Sequence, residues 1–172
     1  GSELLHGLAG QLLPELDPVG EEAGRGDGVG PVDRVAQVDA VGSQGEAWAL
    51  SQDEKRRVWE TVVDEARGRV PVYAGTVGAT TRETIELTRL AEKAGIDAVS
   101  ILTPYFIRPN EDELLNHYTA VAESTSLPLL VYSNPMRTGV KISPGLLGRL
   151  AQVTGIVGMK DSSGELELTA EY

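Results

Sequence analysis

Lys160 closes the run "GIVGMK" and stands just before the turn "DSSGE". Ile156, Val157 and Met159 read as a strand buried on both faces, the pattern of a parallel sheet. A lysine there has two readings. It can snorkel to solvent at the strand end, which is the commoner outcome. Alternatively it sits in a water-poor pocket, which favours the neutral, nucleophilic form of an amine. Such an amine adds to a ketone and forms a Schiff base, and the protonated imine then draws electrons from an adjacent carbon–carbon bond. Tyr132 ends the preceding apolar run, "LPLLVYS". It is either a core residue with a satisfied hydroxyl or a phenol that shuttles the protons of imine chemistry. If both point inward, alternation puts Gly158 and Ile156 on the face of Lys160 and Leu130 on that of Tyr132. Val157 and Met159 then face the helices. Spacing alone leaves both readings open for both residues.

The elements that would position them follow from periodicity. "QDEKRRVWETVVDEAR" (52–67) carries Val58, Val62 and Ala66 four apart, and Ser51 with Glu54 forms a capping box. "TRETIELTRLAEKAG" predicts a second helix with Leu87, Leu90, Ala91 and Ala94 on one side and Gly95 as its stop. "EDELLNHYTAVAESTS", "SPGLLGRLAQV" and "ELELTAEY" predict three more. Parallel strands are expected near 37–42, 70–74, 97–102, 128–132 and 155–160. Strands alternating with helices mean βα units around a parallel sheet. An open doubly wound sheet and a (β/α)8 barrel compete. "GTVGAT" is not the glycine fingerprint of a dinucleotide site. Polar residues follow strand after strand instead: Ser43 and Gln44, Thr76, Thr103, Tyr132 and Lys160. That gathering is a barrel signature. A complete barrel needs about 250 residues, and only some four and a half repeats are legible.

Composition narrows the function classes. The 172 residues carry a net charge of −11, which argues against a nucleic-acid partner. No cysteine is present, so thiolate chemistry and disulfides are excluded; two histidines make the usual zinc site improbable. No apolar run reaches membrane-span length. The expectation is a soluble protein of the cytoplasm, without a cofactor, acting on small molecules or other proteins. Residues 1–40 differ from the rest: glycines crowd "VGEEAGRGDGVGPVD", and no aromatic residue precedes Trp48. They read as an atypical, poorly packed N-terminal segment, with residues 41–172 as the folded unit.

From Gly42 to Tyr172 the sequence resembles the dihydrodipicolinate synthase/N-acetylneuraminate lyase family of class I aldolases. Five stretches carry the likeness in order: "GSQGEAWALSQDEK", "RVPVYAGT", "AGIDAVSILTPYF", "YSNPMRTG" and "GMKDSSGE". The resemblance implies a partial (β/α)8 TIM barrel covering roughly strands 2 to 6. It implies that pyruvate or another 2-keto acid binds as an imine on Lys160 and is joined to, or cleaved from, an aldehyde. Lys160 matches the Schiff-base lysine, and Tyr132 the proton-relaying tyrosine. Ser43 and Gln44 occupy the two positions of the G-[ST]-T-G-E loop that hold the pyruvate carboxylate. Gln44 replaces the usual threonine, and backbone N–H groups can still bind a carboxylate there. Glu46 is read as pinning that loop. Arg137 matches the arginine that binds the second substrate's carboxylate in the synthases, a task its fork suits. The resemblance also implies a homo-oligomer, a tetramer in the complete protein.

Three departures qualify it. Phe106 stands where the synthases carry a tyrosine lent to the adjacent subunit's proton relay. Residues 1–40 do not match the family's first strand and helix, which suggests a frameshift or foreign junction. The chain stops where the sixth helix begins, so strands seven and eight are missing, and labelling by pyruvate is expected to be weak or nil. The alternatives are therefore a 2-keto-3-deoxy sugar-acid aldolase or dehydratase, or an inactive fragment.

Overall fold

The computed structural model describes residues 37–43 and 45–172. Five strands form one sheet: β1 (Val38–Ala40), β2 (Val72–Gly75), β3 (Ala98–Leu102), β4 (Leu129–Ser133) and β5 (Ile156–Asp161). Each pairs in parallel with the next, in the order β1-β2-β3-β4-β5. The crossovers are α1 (Gln52–Ala66), α2 (Thr81–Lys93), α3 (Glu111–Ala122) and the pair α4 (Pro135–Thr138) and α5 (Pro144–Leu150); α6 (Leu166–Glu171) follows β5. Sequential order with a helix between neighbours is what a βα repeat of one hand produces.

The helices start where local chemistry starts them. Ser51 and Glu54 form the capping box of α1. Asn110 and Glu113 form another at α3, and the Thr80 side chain caps α2. Gly95 stops the segment after α2 in a left-handed conformation, φ 84°. Alternation then sorts the strands. Val38 and Ala40, Val72 and Ala74, Val99 and Ile101, Leu129 and Val131 all lie in the helix-side core. Trp59 of α1 and Tyr118 of α3 are fully buried against them. A buried indole or phenol requires a polar partner. Trp59 Nε1 donates to the Ala40 carbonyl at 3.3 Å, and the Tyr118 hydroxyl to the Ile101 carbonyl at 3.0 Å. Thus α1 and α3 are each tied to the backbone of a particular strand.

The other face of the sheet is concave. Laid flat, β1 and β5 would stand about 19 Å apart, four strand spacings, beyond the combined reach of a lysine and an aspartate. Yet Lys160 of β5 contacts Asp39 of β1. The sheet therefore curls as a barrel wall does. Among the described residues no helix is long and apolar enough to cross a membrane.

The expected strands all appear, and all are parallel. Residues 1–36, most of the atypical segment, lie outside the described residues. Elsewhere three details differ. The third helix ends at Ala122 instead of Ser126, whose N–H and hydroxyl both donate to Glu92 Oε1 of α2. Helix α4 was not expected, although Pro135 at its first position and Gly139 after its end mark it. Finally, the register slips between Leu129 and Leu130, so that Leu129 faces Ile156 and Leu130 faces Gly158. That bulge skips Val157 and overturns the inward assignment of Ile156, which packs instead against the helix-side core.

Candidate active site

Register places the inward residues of successive strands level with one another. Leu102 pairs with Tyr132, and Tyr132 with Lys160, at the carboxyl ends of β3, β4 and β5. Below them Leu130 pairs with Gly158, where an added Cβ would come within 3.0 Å of Leu130 Cδ2. Glycine at 158 leaves the leucine room beneath the amine.

Lys160 and Tyr132 are in contact. Lys160 Nζ lies 4.4 Å from the centroid of the Tyr132 ring, a cation on an aromatic face. The Tyr132 hydroxyl accepts a hydrogen bond of 3.0 Å from Asn134 Nδ2. Burial pushes this phenol up, but the hydroxyl of Ser43, the Asn134 amide, the hydroxyl of Ser162 and the charge of Lys160 together outweigh it. The group sits below the usual tyrosine range. Tyr132 thus joins three sequence-predicted positions, since Ser43 and Lys160 both act on it.

One of the two readings of Lys160 puts its amine in a water-poor pocket and the other lets it snorkel to solvent; the Lys160 side chain is 38% exposed and Nζ donates to Asp39 Oδ2 at 2.5 Å. Its nearest charged neighbour is a carboxylate, which sequence reasoning missed. The signal was available: an acidic residue between Val38 and Ala40, on a strand otherwise apolar.

Ser43 lies just beyond β1 and is half-buried. The chain reaches it through Val41, buried and in the left-handed region at φ 62°, an unusual state for a β-branched residue. The Val41 carbonyl lies so close to β2 that a Cβ on Gly75 would approach it to 2.5 Å. Only glycine at 75 accepts this path. Gly45 N–H closes the turn onto the Gly42 carbonyl, 3.0 Å. Glu46 is exposed; its backbone, with φ 51°, holds the next turn through its carbonyl and Ala49 N–H. Gln44 lies outside the described residues.

Arg137, on α4, is exposed and borders a cavity of about 480 Å3 together with Ser43, Trp48, Leu102, Tyr105 and Thr138. Its turn is braced from within. The Thr138 hydroxyl accepts from the Thr103 hydroxyl and from Val140 N–H, and lies within hydrogen-bond reach of the Asn134 carbonyl. Thr103, expected among the polar strand ends, therefore serves the Arg137 turn. A larger cavity, about 600 Å3, lies on the helix-facing side of β5 along Val157, Met159 and Tyr172, away from the amine. Phe106 is 94% exposed with φ 76°. Unusual backbone at Val41, Glu46 and Phe106 thus collects beyond the carboxyl ends of β1 and β3.

A sequence profile of the Dihydrodipicolinate synthetase family matches residues 35–172. The chain belongs to this family. Among its curated relatives, the 4-hydroxy-tetrahydrodipicolinate synthase of Methylococcus capsulatus is 46% identical over 132 residues, 77% of this chain and 45% of that protein. The chloride-inhibited dihydrodipicolinate synthase of Acinetobacter baumannii, solved with pyruvate, superposes with a TM-score of 0.75 at 42% identity. That match covers 77% of this chain and 45% of the other. CdNal of Clostridium difficile, solved with mannosamine, gives 0.72 at 31% identity over 76% of this chain and 45% of that one. The family is a TIM-barrel family of Schiff-base lyases, and the sheet described above is a partial barrel of that kind. This chain spans about 45% of the length of the relatives it matches.

Proposed function

We propose that this site binds pyruvate, or another 2-keto acid, as an imine on Lys160 and joins it to or cleaves it from an aldehyde, as a 4-hydroxy-tetrahydrodipicolinate synthase does. The observation that carries the reading is the stacked pair at the ends of β4 and β5, with Lys160 Nζ 4.4 Å from the Tyr132 ring. Lys160 supplies the covalent electron sink. Tyr132, with its lowered pKa, moves protons to and from the reacting atoms. Ser43 and the Gln44 turn hold the keto acid's carboxylate. Arg137, across the same cavity as Ser43, receives a carboxylated aldehyde. The catalytic unit is residues 41–172 as part of a barrel, and the protein works in the cytoplasm. The exposure of the neighbouring apolar side chains Phe106 and Ile107 supports assembly into a homo-oligomer, a tetramer in the complete protein.

A second reading has one observation in its favour. Phe106 offers no hydroxyl to a proton relay, which suits a 2-keto-3-deoxy sugar-acid aldolase or dehydratase better than a strict synthase.

Borohydride added with pyruvate tests the central claim. The reduced adduct should appear on the peptide containing Lys160 in a full-length protein, and weakly or not at all in this chain, which spans less than half of its relatives' length. Lys160→Ala should take none. A full-length protein that takes no label from pyruvate or any small 2-keto acid overturns the reading. Parallel labelling with 2-keto-3-deoxy sugar acids separates the two substrate classes.

A further inference from the structure

Among the described residues Lys160 has one acidic neighbour at contact distance, and it is Asp39. This residue takes the inward position of β1, between Val38 and Ala40, which are both in the helix-side core. One oxygen, Oδ2, accepts from Lys160 Nζ at 2.5 Å. The other, Oδ1, is buried without a hydrogen-bond partner among the described residues. The carboxylate also packs against Gly42, 3.4 Å from where a Cβ would stand, at the start of the loop carrying Ser43. Tyr132 is placed differently. Its ring face meets Nζ, while its hydroxyl is held by Asn134.

Stability does not account for this pair. An ion pair whose lysine is 38% exposed contributes little, and a buried, unpaired carboxylate oxygen is costly. Chemistry does account for it, because an ammonium must lose a proton before it can attack a carbonyl carbon.

We propose that Asp39 is an acid–base catalyst of this site, a conclusion that rests on the Schiff-base reading above. Asp39 Oδ2 takes one proton from Lys160 as the nitrogen lone pair adds to the keto carbon and the carbonyl π pair moves to oxygen. The resulting ammonium nitrogen passes a second proton, through Tyr132, to that oxygen, giving the neutral carbinolamine. Asp39 then returns its proton to the hydroxyl. The carbon–oxygen bond breaks, water leaves, and the nitrogen lone pair closes the protonated imine. Nitrogen falls from three protons to one, water carries both, and Asp39 ends as it began.

The test measures the rate at which pyruvate and borohydride label Lys160 in the full-length protein and in its Asp39→Asn and Asp39→Ala variants, with circular dichroism reporting the fold. Asp39→Asn keeps the side-chain shape and should label about 100-fold more slowly or worse. Asp39→Ala should be equally slow, and added formate, a free carboxylate, should restore part of its rate. An Asp39→Asn rate within about two-fold of the parent overturns the proposal and leaves the Schiff-base reading standing. So does an Asp39→Ala rate that formate does not raise. Loss of fold in both variants makes the pair structural and also overturns it. A full-length parent protein without label defeats the Schiff-base reading itself, and this proposal with it.

Discussion

Asp39 Oδ2 and Lys160 Nζ lie 2.5 Å apart although 121 positions separate them in the chain. The contact joins the first described strand to the last across the concave face, so the curl of the sheet and the chemistry of the site are one geometric fact. Whatever flattens the wall separates the amine from its carboxylate.

Tyr132→Phe removes the hydroxyl and keeps the ring on which Nζ rests. Pyruvate capture should persist while turnover to and from the imine slows by about 10²–10⁴-fold, the usual worth of acid–base help. Stopped-flow mixing with pyruvate, followed by borohydride at timed delays, separates capture from conversion. An unchanged approach to the labelled state would remove Tyr132 from the relay.

Gly75→Ala places a methyl group 2.5 Å from the Val41 carbonyl, where backbone and not a flexible side chain must yield. The strain should cost about 1–3 kcal/mol, as overpacking does, and should displace the turn carrying Ser43. Pyruvate concentration at half-maximal labelling is expected to rise more than the melting temperature falls. A variant that melts earlier but binds pyruvate unchanged would show that the turn is positioned by other contacts.

Thr138→Val deletes a hydroxyl that serves Thr103 and Val140 within the Arg137 turn. Leaving those buried groups unpaired should cost about 1–3 kcal/mol. Urea unfolding measures the loss, and weaker use of a carboxylated aldehyde should accompany it. Arg137→Lys should reproduce the second effect without the first, since a lysine cannot offer the bidentate fork.

His117 supplies a pH dependence distant from the amine. Its ring is buried between α2 and α3, with Nδ1 2.9 Å from the Thr81 hydroxyl and Nε2 without a hydrogen-bond partner among the described residues. Burial lowers its pKa from 6.5 to about 4. Between those values the unfolded chain binds the proton and the folded chain does not, so stability is fully present above pH 6.5 and declines toward pH 4. The loss should be on the order of 3 kcal/mol. Unfolding in urea at pH 7.5 and pH 5 should read about 2 kcal/mol of it, and His117→Gln should flatten the difference.

Most of the wall was legible because β1 to β4 place alternate residues in the helix-side core, and α1, α2, α3 and α5 each carry a side-chain cap. Ser51 with Glu54, and Gly95, mark element ends in the sequence as they do in space. Lys160 and Tyr132 were legible for a related reason: a polar side chain ending an apolar strand is anomalous wherever it occurs. Asp39 presents the same anomaly, yet its strand is three residues long and adjoins a segment of unusual composition, so the alternation that exposes Lys160 had too little length to act there. Ile156 failed because a bulge depends on the partner strand, which no reading of "GIVGMK" alone contains. The brace between Thr103 and Thr138 is likewise a relation between two loops.

The sequential order of the strands has a consequence for how the chain acquires this site during synthesis. Every neighbour in the sheet is also a neighbour in sequence, so each βα unit can dock on the one before it as it emerges, with short loops to close. The amine and its carboxylate belong to opposite ends of that succession. Their meeting waits until the fifth strand is in place, and a ribosome-bound intermediate ending after β4 would have a nearly complete core and no reactive centre. On the Schiff-base reading proposed above, the amine thus enters the sheet only once the scaffold that holds it exists.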